Sequence, residues 1–272
     1  MKRYLFPFLF YCFSYSAFAQ FTVVTFNIRY DNAADKENAW SKRKAAVADS
    51  LNKLSPDILC LQEVLKKQYK YLSKSLKHYK GYGVGRNNGK KKGEYCPIFY
   101  NKDKFILVDK GTFWLSENPK KPGRGWDAAS NRIVTWVKLK ELSNSKILFV
   151  FNTHFDNQGS KAQMESARLI VSKASEIAGD SSRLIVGDLN ITDHELPYKY
   201  IVSEKYQDAG KKAPELPTYT YTGFKLNLAV AKRIDYIFYK ESLRLLSCKT
   251  LEWCNVNGNF LSDHLPVYAR FE

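Results

Sequence analysis

Ile185-Val186-Gly187-Asp188-Leu189-Asn190 is an apolar run that stops abruptly in polar residues. Successive side chains of a strand point to opposite faces, so Asp188 and Asn190 share one side while Leu189 faces the other. Gly187 lets a neighbouring backbone or a ligand come close. A carboxylate beside an amide at a strand end can orient a water and steady charge building on a phosphate. The strand itself is predicted over Arg183–Val186.

The same arrangement recurs outward from this point. Phe151-Asn152-Thr153-His154-Phe155-Asp156 places Asn152 and His154 on one face, and Ile58-Leu59-Cys60-Leu61-Gln62-Glu63 ends a buried strand with a carboxylate suited to a hard cation. Arg233-Ile234-Asp235-Tyr236 sets an acid inside an apolar strand. Ser262-Asp263-His264-Leu265-Pro266 puts an acid next to a histidine at a turn before the last strand. Each site alone has a structural alternative: a strand-end Asp or Asn commonly serves a turn, a lone histidine is commonly a hydrogen-bonded core residue, and Asp235 alone reads as a satisfied structural acid. Five such sites in this order, holding two of the four histidines, point to one catalytic constellation.

Between these sites the pattern alternates strand and helix. Strands are predicted over Phe21–Ile28, Ile58–Gln62, Cys96–Tyr100, Phe105–Val108, Ile133–Leu139, Ile147–Asn152, Arg233–Tyr239 and Val267–Phe271. Helices are predicted from about Ser41 to Leu54, through Leu65, Tyr69, Leu72 and Leu76, and from Ser160, whose spacing to Gln163 matches a capping box. Asn118 to Asn131 reads as a Gly/Pro-rich surface loop. Two halves that each run strand, helix, strands predict one mixed α/β layered domain with two sheets face to face and helices outside.

Composition agrees with one such domain: 272 residues, 44% hydrophobic and 15% aromatic, are enough for a sizeable core and exclude global disorder. Lys2 and Arg3, the apolar run Leu5 to Phe18 and the small residues of Ala17-Phe18-Ala19 read as a signal peptide over residues 1–19, cleaved after Ala19. The run is short of the roughly 20 residues a spanning helix needs. Residues 20–272 are then an exported catalytic domain, periplasmic or extracellular, with no stable membrane insertion. Removing residues 1–19 takes away Lys2 and Arg3 and no acid, which lowers the formal charge from +16 to +14. Such a field suits polyanions, nucleic acid among them, or anionic lipid surfaces; lysine clusters such as Lys90-Lys91-Lys92 also serve plain solubility. Cys60 reads as a packed thiol. Cys248 and Cys254 are able to pair in an oxidising compartment, and the sequence leaves that open. No spacing suggests zinc.

Phe26-Asn27-Ile28-Arg29, Leu61-Gln62-Glu63-Val64, Asn152-Thr153-His154, Gly187-Asp188-Leu189-Asn190, Arg233-Ile234-Asp235-Tyr236 and Ser262-Asp263-His264 together resemble the endonuclease/exonuclease/phosphatase family, from Phe21 to Phe271. The resemblance implies a four-layered α/β sandwich with an Mg²⁺ or Mn²⁺ site at one rim. By the same resemblance Glu63 is the principal metal ligand, with Asn27 and Asp263 completing or supporting the shell. Asp188 aligns or deprotonates the attacking water, Asn190 and His154 contact the phosphate, and His264 faces the scissile phosphate, oriented by Asp235. Glu94 falls where many members pair an acid with the His154 equivalent. Arg132 stands where some members set an arginine on phosphate, and equally reads as a surface arginine. Arg29 matches an arginine of the deoxyribonuclease branch.

Gly111 to Pro119 with Gly125-Trp126-Asp127 resembles exported bacterial members akin to deadenylases and 3′–5′ exonucleases. Trp114 and Trp126 read either as a stacking face for a base or sugar or as packing, and Phe113-Trp114-Leu115 as a core strand. Three functions stand: a monomeric nuclease or nucleotide phosphodiesterase first, a phosphatase or phosphodiesterase on sugar, inositol or lipid phosphates second, and a binding module without activity third. Intact Glu63, Asp188, Asn190, His154 and His264 weigh against the last.

Overall fold

A computed structural model describes residues 19–212, 219–240 and 242–272. The expected signal segment lies, but for Ala19, outside these residues. Among them no helix is long and apolar enough to cross a membrane.

The β-branched and aromatic runs form strands β1 (Phe21–Asn27), β2 (Ile58–Gln62), β3 (Tyr79–Tyr82), β4 (Ile98–Asn101), β5 (Phe105–Trp114), β6 (Ile133–Glu141), β7 (Ile147–His154), β8 (Ser182–Asp188), β9 (Gln207–Asp208), β10 (Asp235–Lys240), β11 (Leu245–Thr250) and β12 (Val267–Phe271). Helices are α1 (Trp40–Leu54), α2 (Lys66–Ser75), α3 (Ser160–Ala178), α4 (Leu196–Ser203) and the single turn α5 (Ala209–Lys212). Two six-stranded mixed sheets result, in the orders β11-β12-β1-β2-β4-β3 and β5-β6-β7-β8-β10-β9. Each holds one central parallel pair, β1 with β2 and β7 with β8, flanked by antiparallel neighbours.

The inner faces pack on each other through Val23, Cys60, Ile98, Val137, Val150, Val186, Ile237 and Ala269. Trp40, Val47, Leu51 and Leu72 of α1 and α2 cover the outer face of the first sheet. Ala167, Ile170, Val171 and Ala174 of α3 and Tyr198 and Ile201 of α4 cover the second. This is the expected helix–sheet–sheet–helix sandwich. Strands buried on both faces read as continuous apolar runs, which is why β2 and β8 were legible from sequence.

The structure corrects several boundaries. β5 continues to Trp114, so Phe113-Trp114-Leu115 is buried core. The strand expected from Cys96 begins at Ile98, and that expected from Arg233 begins at Asp235. α3 has no side-chain cap from Ser160; Asp127, from the Gly/Pro-rich loop, instead accepts the backbone N–H of Lys161 (3.2 Å) and Ala162 (2.6 Å). Gln163 donates to Asp156 O (2.8 Å) and Asn190 O (3.1 Å), which ties the helix to the site. Cys248 is buried, Cys254 is exposed, and both are free thiols.

Candidate active site

Register lines up the polar strand ends. In the second sheet His154 on β7 sits opposite Asp188 on β8, and Asp188 sits opposite Asp235 on β10. In the first sheet β1 and β2 finish together, Asn27 opposite Gln62, and Glu63 follows directly. The chain then turns sharply at Arg29 (φ 58°), Glu63 (φ 59°) and Asn190 (φ 50°), left-handed conformations that residues with a Cβ enter at a cost. At each turn a side chain is re-aimed from the pleat into the rim between the sheets.

The Asn27 amide links the two sheets at this rim: it donates to Glu63 Oε1 (3.1 Å) and to Asp188 Oδ2 (3.0 Å). Its own oxygen accepts Arg29 N (3.0 Å), and Tyr30 N donates to Glu63 Oε2 (3.0 Å). Asn190 N donates to Asp188 Oδ1 (3.0 Å), while the Asn190 amide lies 3.0 Å from His154 Nε2 and donates to Phe155 O (3.1 Å). His264 Nδ1 is 2.8 Å from Asp235 Oδ2, and its Nε2 is 3.6 Å from Asp188 Oδ2. Thr220 Oγ1 donates to the same Asp235 oxygen (2.6 Å) while accepting Ile234 N and Asp235 N (both 3.1 Å).

Charges follow from burial and neighbours. Burial drives Asp188 up to about 7, with the nearby Asp235 carboxylate adding to it and His264 opposing. Burial pulls His264 down, but Asp235 and Asp188 outweigh it and lift the imidazolium to about 10. His154 moves the other way: burial, then the Arg132 and Arg86 guanidinium groups, hold it well below the usual histidine range. It is therefore a neutral imidazole, and its 3.4 Å approach to Asp188 is not an ion pair. Burial also raises Asp263 and Glu94 above the usual carboxylate range.

Glu63, Glu94, Arg132, His154, Asp188, Asn190, Asp263 and His264 line one cleft of about 550 Å³. Asn27 and Asp235 stand behind it, 0% and 1% exposed. Two expectations change. Glu94 does not pair with His154; it forms an ion pair with Arg86 (2.8 Å), a guanidinium close enough to claim it first. Asn152 does not join His154 in the cleft: its amide donates to Leu61 O and Pro97 O (both 2.9 Å) and its oxygen accepts Gln62 Nε2 (2.7 Å), a strut between the sheets. Arg132 is not a surface residue. It is 5% exposed, bonded to Asp156 (3.3 Å) and Asn157 (3.2 Å), with Nη1 buried and without a partner among the described residues.

Tyr30, Arg86, Thr220, Tyr221 and Lys232 were missed. Tyr221 packs edge-on against His264 (5.1 Å between ring centroids) and is bridged by backbone to Lys232 and His264. These residues sit on loops, where no periodicity marks them; only Tyr30, directly after Phe26-Asn27-Ile28-Arg29, and Lys232, directly ahead of Arg233-Ile234-Asp235, stood close to a readable motif.

Gly187 shows how tightly the rim is built. A Cβ there would meet Thr153 O at 1.9 Å, at a φ of 143°. Gly187→Ala should therefore cost about 3 kcal/mol or more, because the oxygen belongs to the paired strand and cannot move aside; chemical denaturation measures it.

The known proteins place this geometry. The model of the Endonuclease/Exonuclease/phosphatase family matches residues 24–264. The chain belongs to that family. A family member from Bacteroides vulgatus, solved by crystallography, is 40% identical, with a TM-score of 0.89 over 93% of this chain and 99% of that one. A mannosyl-6-phosphatase of Bacteroides thetaiotaomicron is 32% identical, with a TM-score of 0.85 over 93% and 99%. Nocturnin of Drosophila melanogaster is 24% identical over 86% of this chain and 42% of its own length. As a family member the protein is a phosphoesterase, a hydrolase.

The family implies a divalent cation, and two groups offer donors. Asp188, Asp235 and His264 bring ligand atoms within 4.8 Å of one another and are all buried, which gives a possible metal site. The hydrogen bonds of Asp235 Oδ2 already commit it to His264 and Thr220, although Asp235 Oδ1 is buried without a partner among the described residues. The second group is Glu63 and Asp263, both oxygen donors suited to Mg²⁺ or Mn²⁺, whereas Asn27, expected beside them, turns its NH₂ toward Glu63 and spends its oxygen on Arg29 N. Glu63 and Arg29 act on Asp263 in opposite senses, and the like charge of Glu63 helps keep Asp263 high. A cation held between these two carboxylates would relieve that repulsion, so the residues fit.

Proposed function

We propose that the chain is an exported, Mg²⁺- or Mn²⁺-dependent phosphatase that removes phosphate from a small sugar phosphate. The carrying observation is the cleft. Its walls are mostly arginine, lysine, histidine, carboxylate and amide groups; Tyr30 and Tyr221 line it too, the first with the Arg29 guanidinium over its ring (4.6 Å) and the second packed against His264, and neither Trp114 nor Trp126 is part of them. Trp114 is buried and donates its indole N–H to Arg86 O (2.7 Å), so the stacking role considered for it is closed. A wall of hydrogen-bonding groups suits sugar hydroxyls, whereas binding of single-stranded nucleic acid leans on aromatic faces. The likeness to a mannosyl-6-phosphatase supports the same substrate class.

The residues divide the work of hydrolysis. A bound cation at Glu63 and Asp263 would neutralise phosphoryl charge and steady the leaving oxygen. Asp188, ionised above about 7, takes a proton from the attacking water, and Asn190 N fixes its carboxylate. Protonated His264, oriented by Asp235, donates to a phosphoryl oxygen. Neutral His154, the Asn190 amide and Arg132 complete the set of groups around the phosphate. The water adds to phosphorus as the P–O bond to the sugar breaks; the departing oxygen takes up a proton from solvent, Asp188 later returns its own to solvent, and the products are inorganic phosphate and the free sugar alcohol.

The second reading, a nuclease of 3′–5′ exonuclease or endonuclease type, draws on the net charge of +16 and the likeness to Nocturnin. Phosphate release from mannose 6-phosphate, measured beside nucleotide release from single-stranded RNA and DNA with and without chelator, separates the two. We expect kcat/KM for the sugar phosphate to exceed that for either nucleic acid at least 100-fold. The reverse order overturns the sugar-phosphate reading.

A further inference from the structure

Arg43 is an arginine on a helix, a position that reads as solvent-facing, yet it is 2% exposed. Among the described residues no carboxylate lies within ion-pair distance of it. Its guanidinium donates instead to four backbone carbonyls: Asn38 O (2.5 Å), Ile28 O (2.9 Å), Leu261 O (2.6 Å) and Arg29 O (3.3 Å). Trp40 and Phe224 also lie against it, 5.6 and 5.2 Å from its carbon.

Three of those carbonyls belong to the two loops that build the oxygen-ligand end of the cleft, and the fourth, Asn38 O, lies just ahead of α1. One runs from Asn27 through the left-handed Arg29 to Tyr30, whose N–H holds Glu63 Oε2. The other runs from Leu261 to Asp263, and Ser262 Oγ donates back to Asn27 O (2.7 Å). Gln68, on α2 and 0% exposed, completes the grip. Its amide donates to the same Arg29 O (3.0 Å), and its oxygen accepts Asp31 N (3.2 Å) and Leu65 N (3.0 Å), which follows Glu63 by two residues. The hydrogen bonds of both side chains go to main-chain groups, most of them in these two loops, so an apolar side chain in either place would leave loop carbonyls without their partner and the loops free to shift.

We propose that Arg43 and Gln68 are positioning residues that set divalent-cation affinity from outside the cleft, by fixing the separation of the Glu63 and Asp263 carboxylates. The proposal rests on the reading of Glu63 and Asp263 as metal ligands. Residues behind a metal's direct ligands typically change its affinity 10–100-fold. Held loops keep the carboxylates at ligand spacing; released, they relax away from each other's charge.

The test is direct Mn²⁺ binding to the full chain, by titration calorimetry and by the electron paramagnetic resonance signal of free Mn²⁺. We expect Arg43→Met to weaken Kd about 10–100-fold, Arg43→Lys less, and Gln68→Leu by the smaller part of that range. Arg168→Met, which removes an exposed charge from α3, should leave Kd unchanged. Saturating Mn²⁺ should restore much of the turnover of Arg43→Met, which a general loss of folding would not allow. Should Arg43→Met fail to fold, Gln68→Leu carries the decision. Wild-type Kd in a folded Arg43→Met or, failing that, in Gln68→Leu overturns the proposal. Glu63→Ala separates the two layers: if it binds as wild type does, or if wild type binds no Mn²⁺, the metal placement falls and the clamp with it. If Glu63→Ala alone loses binding, only the clamp falls.

Discussion

Asp188→Asn should lower kcat about 10³–10⁴-fold while leaving the fold intact, read as phosphate release under saturating metal. The amide keeps the shape that Asn27 and Asn190 surround, but it cannot take a proton from water, and the contacts from those neighbours would then serve no base. Stability should move in the opposite direction. A carboxylate whose folded pKa is raised binds its proton more tightly in the folded chain, so it costs stability as pH rises from its ordinary 3.8 through about 7. At pH 8 the variant should melt at or above the wild-type temperature. Near-normal turnover by Asp188→Asn would remove this residue from the reaction.

Asp235→Asn should give the second large effect, and its signature is the pH profile. His264 is held near 10, and a step that needs the imidazolium fades as pH rises through that value. The wild-type enzyme should therefore keep an alkaline limb near 10. Without the carboxylate, only the charges of Asp188 and Asp263 are left to oppose burial at His264, and the limb should move down from about 10. At pH 8 the expected loss is about 10²–10⁴-fold in kcat, the scale seen when an oriented histidine loses its acid partner. A profile of kcat from pH 6 to 10.5 measures both. An unmoved alkaline limb would show that His264 does not act as the charged donor.

The motifs on strand ends were legible because two rules act on them together. The side-chain alternation of a strand fixes the face, and an apolar run that breaks into Asp, Asn or His has no packing reason to do so. Asp188, His154, Glu63 and His264 were found that way, and the cleft holds all four. Tyr221, Lys232 and Thr220 lie in a loop that carries no period, and only the long-range bonds of Thr220 to Asp235 and of Tyr221 to His264 give them meaning. Arg43 was hidden for a different reason. An arginine in a helix reads as a solvated charge unless the carbonyls that receive it are known, and Leu261 O is 218 residues away. Glu94 was placed in the right cleft with the wrong partner, because the sequence does not say how near Arg86 folds to it.

Half of the machinery hangs from each layer: Asn27, Glu63, Asp263 and His264 border the first sheet, and His154, Asp188, Asn190 and Asp235 the second. Catalytic competence is thus a report on how the layers mesh. A slip of one residue between them displaces partners by roughly 3.3 Å, more than any hydrogen bond tolerates. Methyl-sized voids opened deep between the layers, at Val150 or Val186, would blunt the enzyme long before they melted it.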